Sequence, residues 1–541
     1  MFSELGKIGK TSLGCLKFKG SRFRRLNDDI QIASIFGDRE PFKSTGTPLT
    51  GKRQVRSLFA LPITMSISSP FRKVLCAVPP TGKFIREDRC QTPIERLKTV
   101  ALRSPIDLMY AAGAFQKVGL EVRLVDYPAE DKEWGDLERD LREFQPDILV
   151  LSITTPSLNA DLKAAELAKK LNPNIITVAK GAHFNTLDVQ TLEKSPSLDL
   201  ALRGEYEETC EEIGRGTPFS EIKGLTWRDN GVIRRNEARP LPNDLDSLAF
   251  PARSLTRNEL YIRPDTGEMQ TTIITNRGCP FSCTYCLANQ VSGLKNRYRS
   301  VENVIAEIKE CVNVHGIRNF LFRSDLFTQN KKWVIELCNR IVEEKLDIEW
   351  ASNSRVDTIT PEALEAMKRA GCWVIAFGVE KGTNEALEAI NKKATIEQAM
   401  KALEMTRAAG IKRSIYILIG LPNDDHAAVE KDIEFAKELD PDFLEIFYPY
   451  PFPGTALYRE AVAAGLLEDG SIPVEAYGLP CMPTKHLTME QLANLRTASL
   501  RKFYMRPSYI ARTLRQTRSA KELGNYVKYG LVQLKQIITG A

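Results

Sequence analysis

The sequence predicts an α/β protein: a doubly wound parallel-sheet domain, then a partial (β/α)6 barrel, then a helical carboxyl-terminal region. Three observations carry this prediction. Short runs rich in Val, Ile and Leu recur from about residue 73 to about residue 449. Amphipathic helical patterns lie between them. After about residue 460 the strand signals stop while the helical ones continue. Apolar strand runs separated by helices imply parallel sheets buried on both faces.

Taken in order, residues 1–70 stand apart. "KFKGSRFRRLNDD" is basic, "KSTGTPLTGKRQVRS" is loop-like, and hydrophobic periodicity is weak. No compact apolar core of signal-peptide type is present. The segment reads as a disordered leader, as residues upstream of a start at Met65, or as a basic organelle-targeting peptide. Its acidic residues count against the last reading.

Residues 71–212 hold candidate strands at 73–78, 121–126, 147–153, 174–179 and 198–202. The helical patterns between them include "DLMYAAGAFQKVG" and "DLKAAELAKKLNP". This is a five-stranded doubly wound domain. Ligands in such sheets bind beyond the carboxyl ends of the strands, which here carry "VPPTG", "SITTPS", "KGAHFN" and "RGEYEE". Residues 213–265 read as a connector, with a hairpin at Asn230-Gly231 and a proline-punctuated linker after it.

Residues 266–465 resume the alternation, with strands near 271–276, 319–324, 348–353, 373–379, 413–419 and 444–449. In "TPEALEAMKRAGC", Thr360 is an N-cap, Pro361 takes the first helical position and Gly371 closes the helix. Thr395 and Gly410 repeat the pattern around the next helix. Six βα units make three-quarters of an eight-stranded barrel, with active residues at the carboxyl ends of the strands. Residues 466–541 are amphipathic and basic. Capping of the barrel and peripheral membrane contact both fit them.

The chain has 541 residues and a formal net charge of +6, so its overall charge makes no case for a nucleic-acid partner. No apolar run approaches the roughly 20 residues that span a bilayer. Eleven cysteines, odd in number and mostly scattered, argue against a secreted disulfide framework and for a cytoplasmic, reducing setting. Cys311, Cys338 and Cys372 lie in apolar contexts and read as small core residues.

Only Cys279, Cys283 and Cys286 cluster, as C-x3-C-x2-C directly after the first barrel strand. Three thiolates can hold three irons of a 4Fe-4S cluster and leave the fourth open to an exogenous ligand. A zinc site would want a fourth nearby ligand, yet the next cysteine is Cys311 and the next histidine His315. Gly278 and Pro280 suit a tight loop around a cluster.

Through "CPFSCTYC" the sequence resembles the radical S-adenosylmethionine enzymes, whose signature places an aromatic just before the last cysteine, here Tyr285. The resemblance runs strand by strand. "FLFRSDLFTQN" is similar to the segment that receives the methionine amino group and implies that role for Ser324 and Asp325. The family's usual two glycines and a glutamate, or paired aspartates, are replaced there by Arg323-Ser324-Asp325. "NSRVD" implies Arg355 near the cofactor, and "IAFGVEKGTNEALEAINK" implies Glu380 at its nucleoside end. "IYILIGLPND" and "YPYPFPGTALY" match the fifth and sixth strands. Taken alone, Glu380 would be an ordinary ion-paired residue and Asp325 a turn residue. Their places on successive strand ends after a complete cysteine motif give them the functional reading.

Residues 71–212 resemble the cobalamin-binding domain that precedes the barrel in one large subclass, and "LRKFYMRPSYIARTL" also recurs there. "AKGAHFN" is similar to its Gly-Gly-x-His turn, with Lys180 in place of the first glycine. The Asp-x-His-x-x-Gly motif that gives a histidine to cobalt is absent. His183, His315, His426 and His486 are the only histidines, and none lies in that pattern. Ser152, Thr154, Thr155 and Gly181 are candidate cobalamin contacts by position.

The resemblance implies a 4Fe-4S cluster, S-adenosylmethionine and cobalamin as cofactors, and an electron donor such as flavodoxin or ferredoxin. In such enzymes one electron cleaves a carbon–sulfur bond and yields a 5′-deoxyadenosyl radical. The activity implied is C-methylation of an unactivated carbon in a small-molecule or lipid substrate. A radical cyclase, ring-contracting or oxidative enzyme stands as the alternative, and a non-catalytic corrinoid or metal carrier as a third reading.

Overall fold

The computed structural model describes residues 69–87, 90–93, 102–473, 478–517 and 524. The expected leader falls almost wholly outside them, as does the helical pattern at 525–538.

The first sheet runs Glu121–Asp126, Lys73–Val78, Ile148–Ser152, Ile176–Lys180, Leu200–Leu202, Leu225–Asp229 and Val232–Arg235 in spatial order. Its first five strands are parallel. Alternate residues serve opposite faces: Val74, Cys76 and Val78 pack in one core, Leu75 and Ala77 in the other. That two-sided burial is why each strand reads as a continuous apolar run.

The sheet has seven strands, which corrects the expected five. The hairpin assigned to the connector pairs antiparallel with Leu200–Leu202 and closes an edge that would otherwise stand open. Its turn is the expected one: Asn230 and Gly231 have φ of 47° and 89°, the left-handed pair that a two-residue hairpin loop favours.

The second sheet takes its strands in chain order: Gln270–Ile274, Asn319–Arg323, Glu349–Ser354, Cys372–Glu380, Lys412–Leu418 and Phe443–Phe447. All neighbours are parallel, as in an open barrel. The helix Pro361–Arg369 begins as expected, with the Thr360 hydroxyl accepting from the Ala363 N–H. Gly371 has φ of 90°, and a Cβ there would stand 2.1 Å from the Ile348 carbonyl oxygen. Cys311, Cys338 and Cys372 are buried in the core beneath the helices. The helix Met489–Tyr504 packs on the last strand, where the Tyr504 hydroxyl donates to the Leu444 carbonyl (2.8 Å).

Candidate active site

The cysteine loop leaves the first barrel strand through Gly278, whose φ is 95°. A Cβ at this position would lie 2.0 Å from the Lys295 carbonyl oxygen, so only glycine lets the two backbones approach. The loop is pinned along its length. The Gly278 N–H donates to Asp325 Oδ2 (2.5 Å) and the Cys279 N–H to the Gly293 carbonyl (3.0 Å). The Thr284 N–H reaches the Ile390 carbonyl (3.1 Å), and Asn391 Nδ2 reaches the Ser282 carbonyl (2.8 Å).

The three thiols are half-buried, whereas Cys76, Cys210, Cys311, Cys338 and Cys372 are fully buried. Burial raises the Cys279 and Cys283 thiols. The Phe281 N–H pulls the first back down, and the charges of Lys392 and Arg355 pull the second. The net shift is upward at both, so these neighbours offset only part of the effect of burial. Among the described residues no three His, Cys, Asp or Glu side chains converge on a single metal ion. A cubane does not require that, because each thiolate binds a different iron. The donor set therefore fits a three-cysteine cluster.

Glu380 ends the fourth barrel strand on a register shift between Gly378 and Glu380, and its φ is 70°. For a side chain with a Cβ this backbone is strained, and it turns the carboxylate back over Gly378. Lys392 Nζ meets Glu380 Oε1 at 2.7 Å and lies 3.4 Å from the Tyr285 hydroxyl. Burial first, and then the Glu380 charge, hold the Tyr285 phenol neutral well above its ordinary range. The next residue, Lys381, is locked by Asp424 (3.0 Å) and Asp432 (2.6 Å) in a buried triad that fixes the bulge. Tyr285, Glu380 and Lys392 thus form one polar group beside the cysteine loop. Lys392 was missed in the sequence: it stands in a quoted motif, but nothing local pairs it with a residue twelve positions earlier.

Arg355 is a brace. Its guanidinium pairs with Asp357 (2.8 Å), donates to the Lys392 carbonyl (2.7 Å) and lies 3.6 Å from the Phe281 ring centre. Ser324 and Asp325 follow the second strand as expected. One oxygen of Asp325 is committed to the Gly278 N–H, while the buried Ser324 hydroxyl has no hydrogen-bond partner among the described residues.

Ser152, Thr154, Thr155 and Gly181 do gather at the carboxyl edge of the first sheet, but much of their bonding is internal. Thr154 Oγ1 lies 2.5 Å from Ser157 Oγ, within a network that includes Asp161 and Arg86. A Cβ on Gly181 would strike the Ile153 carbonyl at 2.1 Å. His183 is buried, with Nε2 3.0 Å from Thr191 Oγ1 and Nδ1 3.3 Å from Thr155 Oγ1. The Thr191 hydroxyl donates to the Leu187 carbonyl, so it accepts from Nε2–H, and Nδ1 is left to accept from Thr155. Both ring nitrogens are occupied, which accords with a turn role rather than cobalt ligation. His426 and His486 are exposed.

A narrow polar cleft lies where the 204–207 turn of the first sheet's carboxyl edge meets the barrel, with Asp107, Tyr206, Glu207, Arg277, Arg323 and Ser324 in its walls; Ser152, Thr154, Thr155 and Gly181 do not line it. Arg277, two residues before Cys279, pairs with Glu207 (2.5 Å), and Arg297 forms a two-pronged pair with Glu205. Behind the wall the Lys180 ammonium is buried without a hydrogen bond among the described residues. It lies 3.7 Å from Asp107 Oδ2 and 4.9 Å from the Tyr206 ring centre. The Ser324 hydroxyl, buried in the cleft wall without a hydrogen bond among the described residues, fits a bound polar group there.

The fold and site define a class, a radical enzyme with a corrinoid-type domain, and comparison with known proteins agrees. Residues 273–436 match the radical SAM superfamily and residues 99–214 the B12 binding domain. An uncharacterized methyltransferase of Pyrococcus horikoshii is 32% identical over 446 residues, covering 82% of this chain and 94% of the relative. The chain belongs to the radical SAM superfamily, in the group that carries a B12-binding domain and uses a 4Fe-4S cluster, S-adenosylmethionine and cobalamin. An anaerobic magnesium-protoporphyrin IX monomethyl ester cyclase of Cereibacter sphaeroides is 28% identical, with 74% of this chain and 67% of the relative covered. The structure of the radical S-adenosylmethionine methyltransferase TsrM from Kitasatospora setae, with cobalamin and a [4Fe-4S] cluster bound, shares the fold. Its TM-score is 0.59 at 17% identity, covering 74% of this chain and 81% of that one.

Proposed function

We propose that the protein catalyses radical, cobalamin-dependent C-methylation of an unactivated carbon in a small organic or lipid substrate. The observation that supports this most is that Asn276 and Arg277, which lead into the cysteine loop, line one cleft with the 204–207 turn at the carboxyl edge of the B12-type sheet, joined by the Arg277–Glu207 pair. Bound there, the cofactors supply reductive carbon–sulfur cleavage and a transferable methyl group.

The chain's own residues have separable tasks. Cys279, Cys283 and Cys286 hold the cluster. Ser324 and Asp325 face the methionine end of S-adenosylmethionine, and Tyr285, Glu380 and Lys392 the nucleoside end. Arg355 keeps the cysteine loop and the 392–393 turn in register. Ser152, Thr154, Thr155 and Gly181 shape the corrinoid edge, with no imidazole offered to cobalt. A flavodoxin or ferredoxin is the expected electron donor. Among the described residues no helix is long and apolar enough to cross a membrane.

The cyclase relative gives a second reading, radical cyclisation on the same scaffold. Anaerobic reconstitution separates the two. Deoxyadenosine formation together with corrinoid binding, and a cob(II)alamin resonance without axial nitrogen splitting, is the result expected for the methyltransferase. Deoxyadenosine formed by a protein that binds no corrinoid would reject methylation in favour of the radical cyclase or oxidative alternative. A resolved nitrogen splitting would overturn the axial assignment and point to His183.

A further inference from the structure

The helix Pro507–Gln516 is mounted inside out. Its inward side is carried by Tyr509, whose ring packs on Phe503 and Tyr504 and whose hydroxyl donates to the Asp442 carbonyl (2.9 Å), and by Arg512, which pairs with Asp440 and donates through Nη2 to the Pro441 carbonyl (2.7 Å). Its apolar residues Pro507, Ile510, Ala511 and Leu514 follow the i, i+3, i+4, i+7 spacing of a single helical face, and all are exposed. Ile510 is 41% exposed and Leu514 57%, and Met505 just before the helix is 49% exposed. No residue of this helix is buried. An amphipathic helix ordinarily turns such a stripe inward, so an outward stripe opposite this dock marks a surface with an occupant of its own.

The charge pattern selects that occupant. From Arg496 to the last residue the chain has ten Lys and Arg and one acid, Glu522. That is a formal +9 in a chain whose total is +6, so the preceding 495 residues are net negative by three. Within the described residues Arg496 donates to the Ile446 carbonyl, Lys502 pairs with Glu434, and Arg506 and Arg512 pair with Asp440, while Arg501 and Arg515, the latter on the helix next to Leu514, are exposed. Apolar side chains that can enter the acyl boundary, bordered by cations that meet headgroup phosphates, are complementary to an anionic bilayer surface.

We propose that the protein docks on anionic membranes through the Pro507–Gln516 helix, with Ile510 and Leu514 inserted and the flanking arginines on the headgroups. The dock residues Asp440, Pro441 and Asp442 precede the strand Phe443–Phe447, at the amino end of the barrel, whereas the cysteine loop lies at the carboxyl end. Membrane attachment therefore leaves the mouth of the site free. The inference is independent of the reaction catalysed.

The test is sedimentation of the full chain with phosphatidylcholine vesicles, with and without about 30 mol% phosphatidylglycerol. Binding only to the anionic vesicles, released by salt and weakened about tenfold or more by Ile510→Asp with Leu514→Asp, is the result expected. A Leu514→Trp protein provides a second measurement: its new fluorescence component should shift to the blue on anionic vesicles. Absence of binding overturns the proposal. So does equal binding by the double variant, which would leave the contact to the basic tail alone. A wild-type dimer that the double variant dissociates overturns it too, by making the stripe an interface between two copies.

Discussion

Replacing Gly378 with alanine tests whether the Glu380 bulge holds cofactor. The glycine is not in the left-handed region, so alanine suits its backbone and the effect is confined to the added methyl. That Cβ would stand 2.5 Å from Glu380 Oε1 and 2.8 Å from Lys392 Nζ, where ordinary contact begins at 3.4 Å. The ion pair must withdraw by roughly 0.6–0.9 Å. It is buried, with Glu380 7% and Lys392 5% exposed, so it has no solvent to withdraw into. Overpacking of this size costs about 1–3 kcal/mol. Part of the cost falls on folding and part on the site. Thermal unfolding should shift down by a few degrees. S-adenosylmethionine affinity, measured by equilibrium dialysis on reconstituted protein, should fall about tenfold, which corresponds to about 1.4 kcal/mol. Unchanged affinity in a destabilised protein would refute the assignment of Glu380 and Lys392 to the cofactor, while leaving their ion pair as a structural fact.

Alanine at Cys279, Cys283 or Cys286 should abolish deoxyadenosine formation with the fold intact by circular dichroism. Cys338→Ala should cost only about 1–2 kcal/mol of packing and keep activity. Burial holds the His183 pKa down to about 4, against an ordinary 6.5, so the unfolded chain takes up the proton first. The stability this gives is complete above pH 6.5 and is lost as pH falls towards 4, by about 3 kcal/mol at most. The difference between wild type and His183→Gln in urea midpoints across that window measures it. Arg297→Met leaves the buried Glu205 carboxylate, among the described residues, with Arg277 alone as a cationic partner, at 3.3 Å. It should destabilise by about 3 kcal/mol, read from chemical unfolding.

The strands could be read from the sequence because parallel strands buried on both faces are apolar at every position, and "ILVLS" and "KVLCAV" are local signals of that. Helix starts were equally local: a threonine cap and a proline are adjacent in the chain. The attachment of Leu225–Asp229 to the first sheet was not legible. Turn chemistry identifies a hairpin but does not say which edge it will cover. The cysteine site was legible for the opposite reason, since its three ligands fall within eight residues. Partnerships that depend on a bulge or on a distant turn escaped detection. Lys392 meets Glu380 only because the strand slips register, and Asp325 meets Gly278 only because two strand ends converge.

The pairing of Arg277 and Arg297 with Glu207 and Glu205 limits how this architecture can be recombined. The acids belong to "RGEYEE" at the end of one sheet, and the arginines bracket the cysteine loop of the other. A chimera that takes its first domain from a chain without acids at these two positions leaves Arg277 and Arg297 unpaired, and a guanidinium left buried without a carboxylate is strongly unfavourable. Exchange of corrinoid-type domains should therefore succeed only when both glutamates travel with the graft or both arginines are replaced with it. The unit of inheritance is the seam as well as the domain.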